Sequence, residues 1–236
     1  GSRLANWIGH REFLTTGSDT AFIRQFNSSI QQQTRFLQHV ATLVPPGFDR
    51  IEIYKGLILA ALTANNKRLI KRWCKQLDRE ITKQILVDGG HISRSPNILI
   101  AFLRHLIDIR AALKDSDEEI SEKILNAIDR ISPMVRFFRH GDGGLALFNG
   151  SNENEGWLID VILTRSEARG NPINSTPHIG FERLTANRTL LLIDVGNAPP
   201  KEFDTNAHAG SLSFEMSVGK ERIITNCGAY VLSLIH

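Results

Sequence analysis

The apolar residues of this chain change their spacing partway along it. Up to about residue 140 they recur in steps of three and four, and beyond about residue 176 they alternate with polar residues or form short runs. A period of 3.6 buries one stripe of a helix, and a period of two buries one face of a strand. The chain is therefore expected to fold as helices first and strands second, which makes it α+β. Its 236 residues suffice for between one and two domains at roughly 150 residues each. The expected division is 1–140 helical, 141–176 connecting and 177–231 strand-bearing, with 232–236 set apart.

Local signals fill in this outline. Asp19 is placed to cap a helix carrying Phe22, Ile23, Phe26, Ile30, Leu37 and Val40, which Pro45-Pro46-Gly47 ends. Further helices are expected over about 48–64, 66–86 and 96–113, and from the acidic run 117–119 past Pro133 toward Phe138. Ser95 and Pro96 suit the cap and first turn of the third of these. Successive hairpins with short connections fit a bundle or a curved array of helix pairs. One more helix is read over 155–168, then strands over 179–184, 189–195, 211–218 and 222–225, with turns at Asn187 and Gly219. Four strands are few for a sandwich.

Composition narrows the function classes. With 42% apolar residues and 28 basic against 25 acidic side chains, the chain is not of the disordered type. No apolar run approaches the ~20 residues of a membrane-spanning helix. A nucleic-acid binder would gather its Lys and Arg into one stripe. Here basic residues cluster at Lys67-Arg68, Lys71-Arg72 and Lys75, with Asp78 and Glu80 following. That helical face reads either as solvated surface or as a site for an acidic polymer such as a polyanionic glycan; no nucleic-acid partner is expected. Cys74 and Cys227 permit one long-range disulfide but no disulfide scaffold, and show no zinc-ribbon spacing. Phosphate-loop, dinucleotide and Ser nucleophile-elbow patterns are absent. The chain opens on Gly1-Ser2, and Leu232-Ser-Leu-Ile-His236 matches what a common sequencing adaptor encodes in one frame. The expectation is a fragment of a longer chain with a non-native tail.

Three segments have the residue types that chemistry needs. In Asp88-Gly-Gly-His91-Ile-Ser-Arg94-Ser-Pro-Asn97, two glycines permit an unusual turn. His91 can exchange protons near neutral pH, and Arg94 can hold a carboxylate in a two-point contact. The plain alternative is a helix–helix loop with a polar cap. Asn206-Ala-His208-Ala-Gly210 sets a histidine between small residues just before the alternating strand, open to a ligand or simply a loop histidine. In Arg139-His140-Gly-Asp142-Gly-Gly144 a tight turn lets Asp142 cap backbone or orient a basic group. Trp7, Trp73 and Trp157 read as core or groove-lining residues.

Taken in order, the stretches 84–97, 138–150 and 208–215, with Asn226-Cys-Gly228, resemble the heparinase II/III family of polysaccharide lyases and lyase-like proteins of bacteria. The resemblance implies an incomplete α/α toroid followed by an antiparallel β-sandwich, of which only the opening strands are present. It implies β-elimination on an acidic, uronate-containing polysaccharide. That reaction requires neutralising a carboxylate, removing the weakly acidic proton beside it and protonating the leaving oxygen. Under this resemblance His208 and His91 are the proton-transfer candidates, and Arg94, Asn97 and Asn206 contact the substrate carboxylate. Ile98 and Leu99 stand near where active members often carry a Tyr-His pair, and Asn206 where many carry the first of two histidines. No redox cofactor is implied. Some members hold a structural zinc through the histidine matched by His208 and an aspartate where Asn226 stands; amide for carboxylate makes a weaker ligand, so the resemblance allows a structural zinc here without favouring it. The implied partner is an acidic polysaccharide, and the implied compartment is the periplasm or cell envelope. Two expectations follow, a lyase or a non-catalytic glycan-binding or cell-envelope protein that keeps the lyase fold. An unrelated helical adaptor working through Lys67–Lys75 would leave the Gly-rich segments unexplained.

Overall fold

The computed structural model describes residues 1–153, 155–173, 175–205, 207 and 210–227. Among them the helices are α1 (Ser2–Gly9), α2 (Arg11–Thr15), α3 (Thr20–Val40), α4 (Phe48–Thr63), α5 (Lys67–Gln84), α6 (Pro96–Asp115), α7 (Glu122–Phe137) and α8 (Gly156–Ser166). The strands are β1 (Ser175–Thr176), β2 (Phe181–Ala186), β3 (Thr189–Asp194), β4 (Phe214–Val218) and β5 (Glu221–Ile224). The helix-then-strand order is thus as expected. By packing, the chain forms two compact units, Gly1–Ile81 with Asp108–Glu122, and Thr82–Ile107 with Lys123–His236. The change from helix to strand falls inside the second unit.

The first unit is built from amphipathic helices whose buried charges come in pairs. Asp19 caps α3 by accepting the Phe22 N–H at 2.7 Å. Trp7 stacks on Phe26 with centroids 5.4 Å apart, and Tyr54 on Trp73 at 6.2 Å. Lys55 reaches Asp108 at 2.7 Å and Arg50 reaches Glu80 at 2.8 Å. Such pairing is what allows long charged side chains into a core. Trp157, on α8 of the second unit, instead leaves most of its indole in solvent.

In the second unit a five-stranded antiparallel sheet runs in the order β1-β2-β3-β4-β5. Asn187 and Gly219 make its hairpin turns at φ 53° and 60°, the left-handed region that Asn and Gly tolerate. β2 pairs with β3 from Phe181 opposite Asp194 to Ala186 opposite Thr189. The inner face carries Phe181, Leu192, Asp194, Glu215 and Ser217, all buried. Phe181 closes a cluster of rings: Phe138 and Phe148 each lie 5.0 Å from it, and Phe137 lies 5.0 Å from Phe138. The other face aligns Leu184, Leu191, Met216 and Ile224 across four strands, and Leu184 and Ile224 are exposed among the described residues. A sheet covered on one side only carries polar residues outward; apolar residues on both faces are the pattern of a sheet that packs on both sides.

Two strands begin later than their sequence suggests. Ile179 does not join β2, because its N–H and carbonyl are taken by Asp88 and Arg94, and Gly180 turns the chain at φ 76° with its carbonyl shared between Arg94 and the Val195 N–H. Leu212 has φ 65°, which breaks the extended run ahead of β4. Cys74 and Cys227 are free thiols; burial pushes Cys74 up to about 12, which keeps it protonated and unreactive. No helix among the described residues is long and apolar enough to cross a membrane.

Because Phe181 ties the ring cluster to the sheet, Phe181→Ala is predicted to lower the unfolding free energy by about 3–5 kcal/mol. Thr185→Ala, at the exposed end of the same strand, is predicted to change it by under ~0.5 kcal/mol. Denaturant titration of both variants measures the difference, and equal midpoints would contradict the assignment.

Candidate functional site

The loop following α5 folds back on itself within the second unit. Leu86 N–H donates to Gly90 O at 2.9 Å and Ile92 N–H to Gln84 O at 2.9 Å. Gly89 sits at φ 85° with its missing Cβ position against the Arg130 carbonyl, and a Cβ on Gly90 would meet Ile179. Close approach sets both glycines, and the backbone angle sets Gly89 as well. Asp88 turns its carboxylate across this loop: Oδ2 accepts the N–H groups of His178 and Ile179 at 3.0 and 2.9 Å.

His91 ends the turn with its ring inside the protein, 1% exposed. Its Nδ1 accepts the Ser93 N–H at 3.1 Å and lies 2.7 Å from Ser93 Oγ. The other nitrogen, Nε2, then carries the proton and donates to Gln84 Oε1 at 3.0 Å. Phe102 packs against the ring at 5.5 Å. Burial pushes this imidazole from its ordinary 6.5 down to about 3, so it is neutral at physiological pH and shielded from a substrate.

Arg94 occupies φ 60° and points its guanidinium into the sheet side of the same unit. Nε donates to Ile179 O at 2.7 Å, Nη1 to Asn197 O at 2.6 Å and Nη2 to Gly180 O at 3.0 Å. Nη2 also pairs with Asp194 Oδ1. The planar group lies 4.7 Å over the Phe181 ring. It lies against Gly196, where a Cβ would overlap the guanidinium, and Gly180 packs directly on Gly196. Beside it opens a cleft of about 430 Å³, lined in part by Leu86, Thr176, His178, Glu182 and Asn197. Arg94 contributes to that wall a charge already matched by Asp194. Asn97 is half-buried at the start of α6, and its N–H donates to Ser151 Oγ at 3.1 Å. Asn206 and His208 lie outside the described residues.

A second polar cluster forms around the Arg139–Gly144 segment, joined by β4 residues that the sequence did not point to. His140, fully buried, lies between Ser217 Oγ (2.9 Å from Nδ1) and Glu215 Oε2 (2.9 Å from Nε2). Glu215 Oε1 accepts the N–H groups of Leu147 and Asn226 at 2.8 and 3.1 Å. Asp142 accepts the Gly144 N–H at 2.9 Å and holds Arg222 at 2.7 and 3.2 Å, as its place in a tight turn suggests. Burial pushes its carboxyl up, but the Arg222 and Gly144 hydrogen bonds outweigh this and leave it below the usual carboxylate range. The signal available beforehand was thin: Glu215 and Ser217 are the polar positions of an alternating strand, and nothing local says that this polar face turns inward. Among the described residues no group of three or more His, Cys, Asp or Glu could hold a metal.

Two outcomes follow from this geometry. Arg94→Ala leaves Asp194 buried without its partner and is predicted to cost about 3–5 kcal/mol of stability; Arg94→Lys recovers only part, since an ammonium cannot serve four acceptors in one plane. An Arg94→Ala protein as stable as the wild type in denaturant would contradict the clamp. For His91, the unfolded chain takes up a proton near pH 6.5 that the folded protein refuses until about pH 3. Stability from this group is complete above pH 6.5 and is lost as pH falls toward 3, at about 1.4 kcal/mol per pH unit. A His91→Gln protein is predicted to show a shallower acid limb than the wild type over that window, and parallel curves would rule the effect out.

With the geometry in place, comparison with known proteins is informative. Residues 168–233 match the family model for the heparinase II/III-like C-terminal region. Over 160 residues the chain is 33% identical to FtsZ-localized protein C of Caulobacter vibrioides, covering 68% of this chain and 28% of that protein. A crystal structure of heparinase III superposes with a TM-score of 0.79 at 14% identity, over 95% of this chain and 42% of the other. A mutant of the heparan sulfate lyase HepC from Pedobacter heparinus gives 0.71 at 17% identity, over 97% and 41%. This chain therefore spans well under half the length of the proteins it resembles. Residues 168–233 thus carry the sequence pattern of the heparinase II/III-like C-terminal region, and nearly the whole chain has the α+β fold of heparinase III.

Proposed function

We propose that this protein uses the lyase scaffold as a non-catalytic binder of an acidic, uronate-containing polysaccharide in the cell envelope. The observation that carries this reading is the state of the 88–97 loop. β-Elimination needs a cation free to neutralise a substrate carboxylate and a group free to move a proton. Arg94 already faces Asp194 and three carbonyl oxygens, and His91 is buried and neutral. Ile98 and Leu99 add no titratable group to the loop, and Leu99 is buried. The Caulobacter relative is named for localisation with FtsZ and not for cleaving a polysaccharide, which is in keeping with a use of this scaffold other than turnover. No cofactor enters this reading.

A second reading is supported by the likeness to heparinase III. In it the protein cleaves the polysaccharide by β-elimination, with His208 transferring the proton and Asn206 and Asn97 holding the uronate carboxylate. The fold by itself does not choose between the two, because one scaffold hosts binding and turnover alike.

The deciding experiment offers the intact protein a panel of acidic polysaccharides, following binding by calorimetry and product by the ultraviolet absorbance of an unsaturated uronate. Saturable binding with flat absorbance is the expected result. Rising absorbance that His208→Ala abolishes would establish the second reading in its place. Failure to bind any acidic polysaccharide would overturn both.

A further inference from the structure

From Lys67 to Arg79, every exposed residue of α5 is basic: Lys67, Arg68, Lys71, Arg72, Lys75 and Arg79. The two acids of this part of the helix are held elsewhere. Asp78 Oδ1 accepts from Ser121 Oγ at 2.6 Å, and Glu80 Oε1 accepts from Arg50 at 2.8 Å. Of the six cations only Lys67 reaches a carboxylate among the described residues, Glu118 at 3.9 Å. Arg72 lies over the Trp73 ring at 4.8 Å, and Arg79 donates to Gln76 at 3.3 Å.

This arrangement works against the helix that carries it. Lys67, Lys71 and Lys75 follow each other at four-residue steps, where like charges repel. The helix begins on Lys67-Arg68 with no acid in its first turn, so cations sit at the positive end of its dipole. A face that serves only solubility mixes both signs. The chain as a whole carries a formal +3, fewer charges than this one face holds, so the remainder of the chain is net acidic. The positive charge of the protein is thus concentrated rather than spread.

The geometry is linear. At 1.5 Å of rise per residue the stripe from Lys67 to Arg79 is about 18 Å long. The three lysines stand about 6 Å apart along it, with Arg68 and Arg72 forming a parallel row. Ile70, Trp73 and Leu77 are all buried, so no large apolar side chain stands out among the cations. Helices that lie in a lipid surface insert apolar side chains beside their basic ones, and this face has none to insert.

We infer that the exposed face of α5 is a docking surface for a linear acidic polysaccharide, formed by Lys67, Arg68, Lys71, Arg72, Lys75 and Arg79 and by no residue of the 88–97 loop. The inference rests on the reading that the protein engages an acidic polysaccharide, and it adds where a stretch of that chain is held. Attraction between rows of charges is long-ranged and screened by salt, so this surface gathers polymer without recognising a particular sugar.

The test uses the intact protein, heparan sulfate and polygalacturonate as probes, and calorimetry at low and moderate salt. A variant carrying Arg68→Glu, Lys71→Glu and Lys75→Glu is compared with one carrying Gln at the same positions. Circular dichroism confirms that each is folded, as exposed sites allow. The expected result is wild-type binding that weakens steeply with salt, about tenfold or greater loss in the Glu variant, a smaller loss in the Gln variant, and a reduced salt slope in both. Equal affinities in wild type and variants would overturn this inference and leave the polysaccharide reading standing. Wild-type protein that binds neither probe would overturn both. Binding only to phosphatidylglycerol vesicles, lost in the Glu variant, would replace the polysaccharide with a lipid surface.

Discussion

A guanidinium cannot sit inside a protein unless its charge and its donors are all answered, because removing one partner strands an ion in a medium that solvates it poorly. Arg94 is such a group, and much of the second unit is arranged to answer it. Asp194 ends β3 with its carboxylate turned inward. The carbonyls of Ile179, Gly180 and Asn197 converge on the same plane. Gly196 leaves the space it occupies, and Phe181 provides the ring beneath it. The late start of β2 is one consequence, since the Ile179 N–H and carbonyl are bonded to Asp88 and Arg94, and the Gly180 carbonyl is shared between Arg94 and the Val195 N–H.

The same unit contains a second tie of similar kind. His140 and Glu215 join the Gly-rich turn after α7 to β4, and Asp142 and Arg222 join that turn to β5. A Cβ on Gly141 would collide with the Gly219 carbonyl at the β4–β5 turn. The sheet is therefore fastened to the helical part of its own unit by polar contacts, one buried and one at the surface, as well as by the phenylalanine cluster. Apolar packing tolerates small slips, but hydrogen-bonded charges have one geometry in which they are satisfied. These polar ties fix the register that the rings alone would leave looser.

This bears on what the family motifs mean. Residues of the kind that perform catalysis, a histidine and an arginine in a Gly-rich loop, are here buried and bonded to other groups of the same chain. Their chemistry is the same in both uses: a donor–acceptor ring and a planar cation with directed donors. What differs is whether the groups face solvent or another part of the chain. A motif match of this sort therefore speaks for the fold and is silent on turnover. The basic face of α5 is the opposite case, since its cations are left facing water.

The sequence by itself determined the order of helices and strands, the caps and turns, and the family likeness. Apolar spacing, Asp19, Asn187 and Gly219 act within a few residues of themselves, so their effect is readable along the chain. The basic stripe of α5 was legible for the same reason, being a property of one helix. Only the tertiary structure decided that His91 is enclosed, that Arg94 meets Asp194 one hundred residues away, and that His140 meets Glu215 across seventy-five. Whether a histidine is a shuttle or a clasp depends on its solvation and its partners. Those are set by segments remote in sequence that the fold brings together, and no local pattern of residues encodes them.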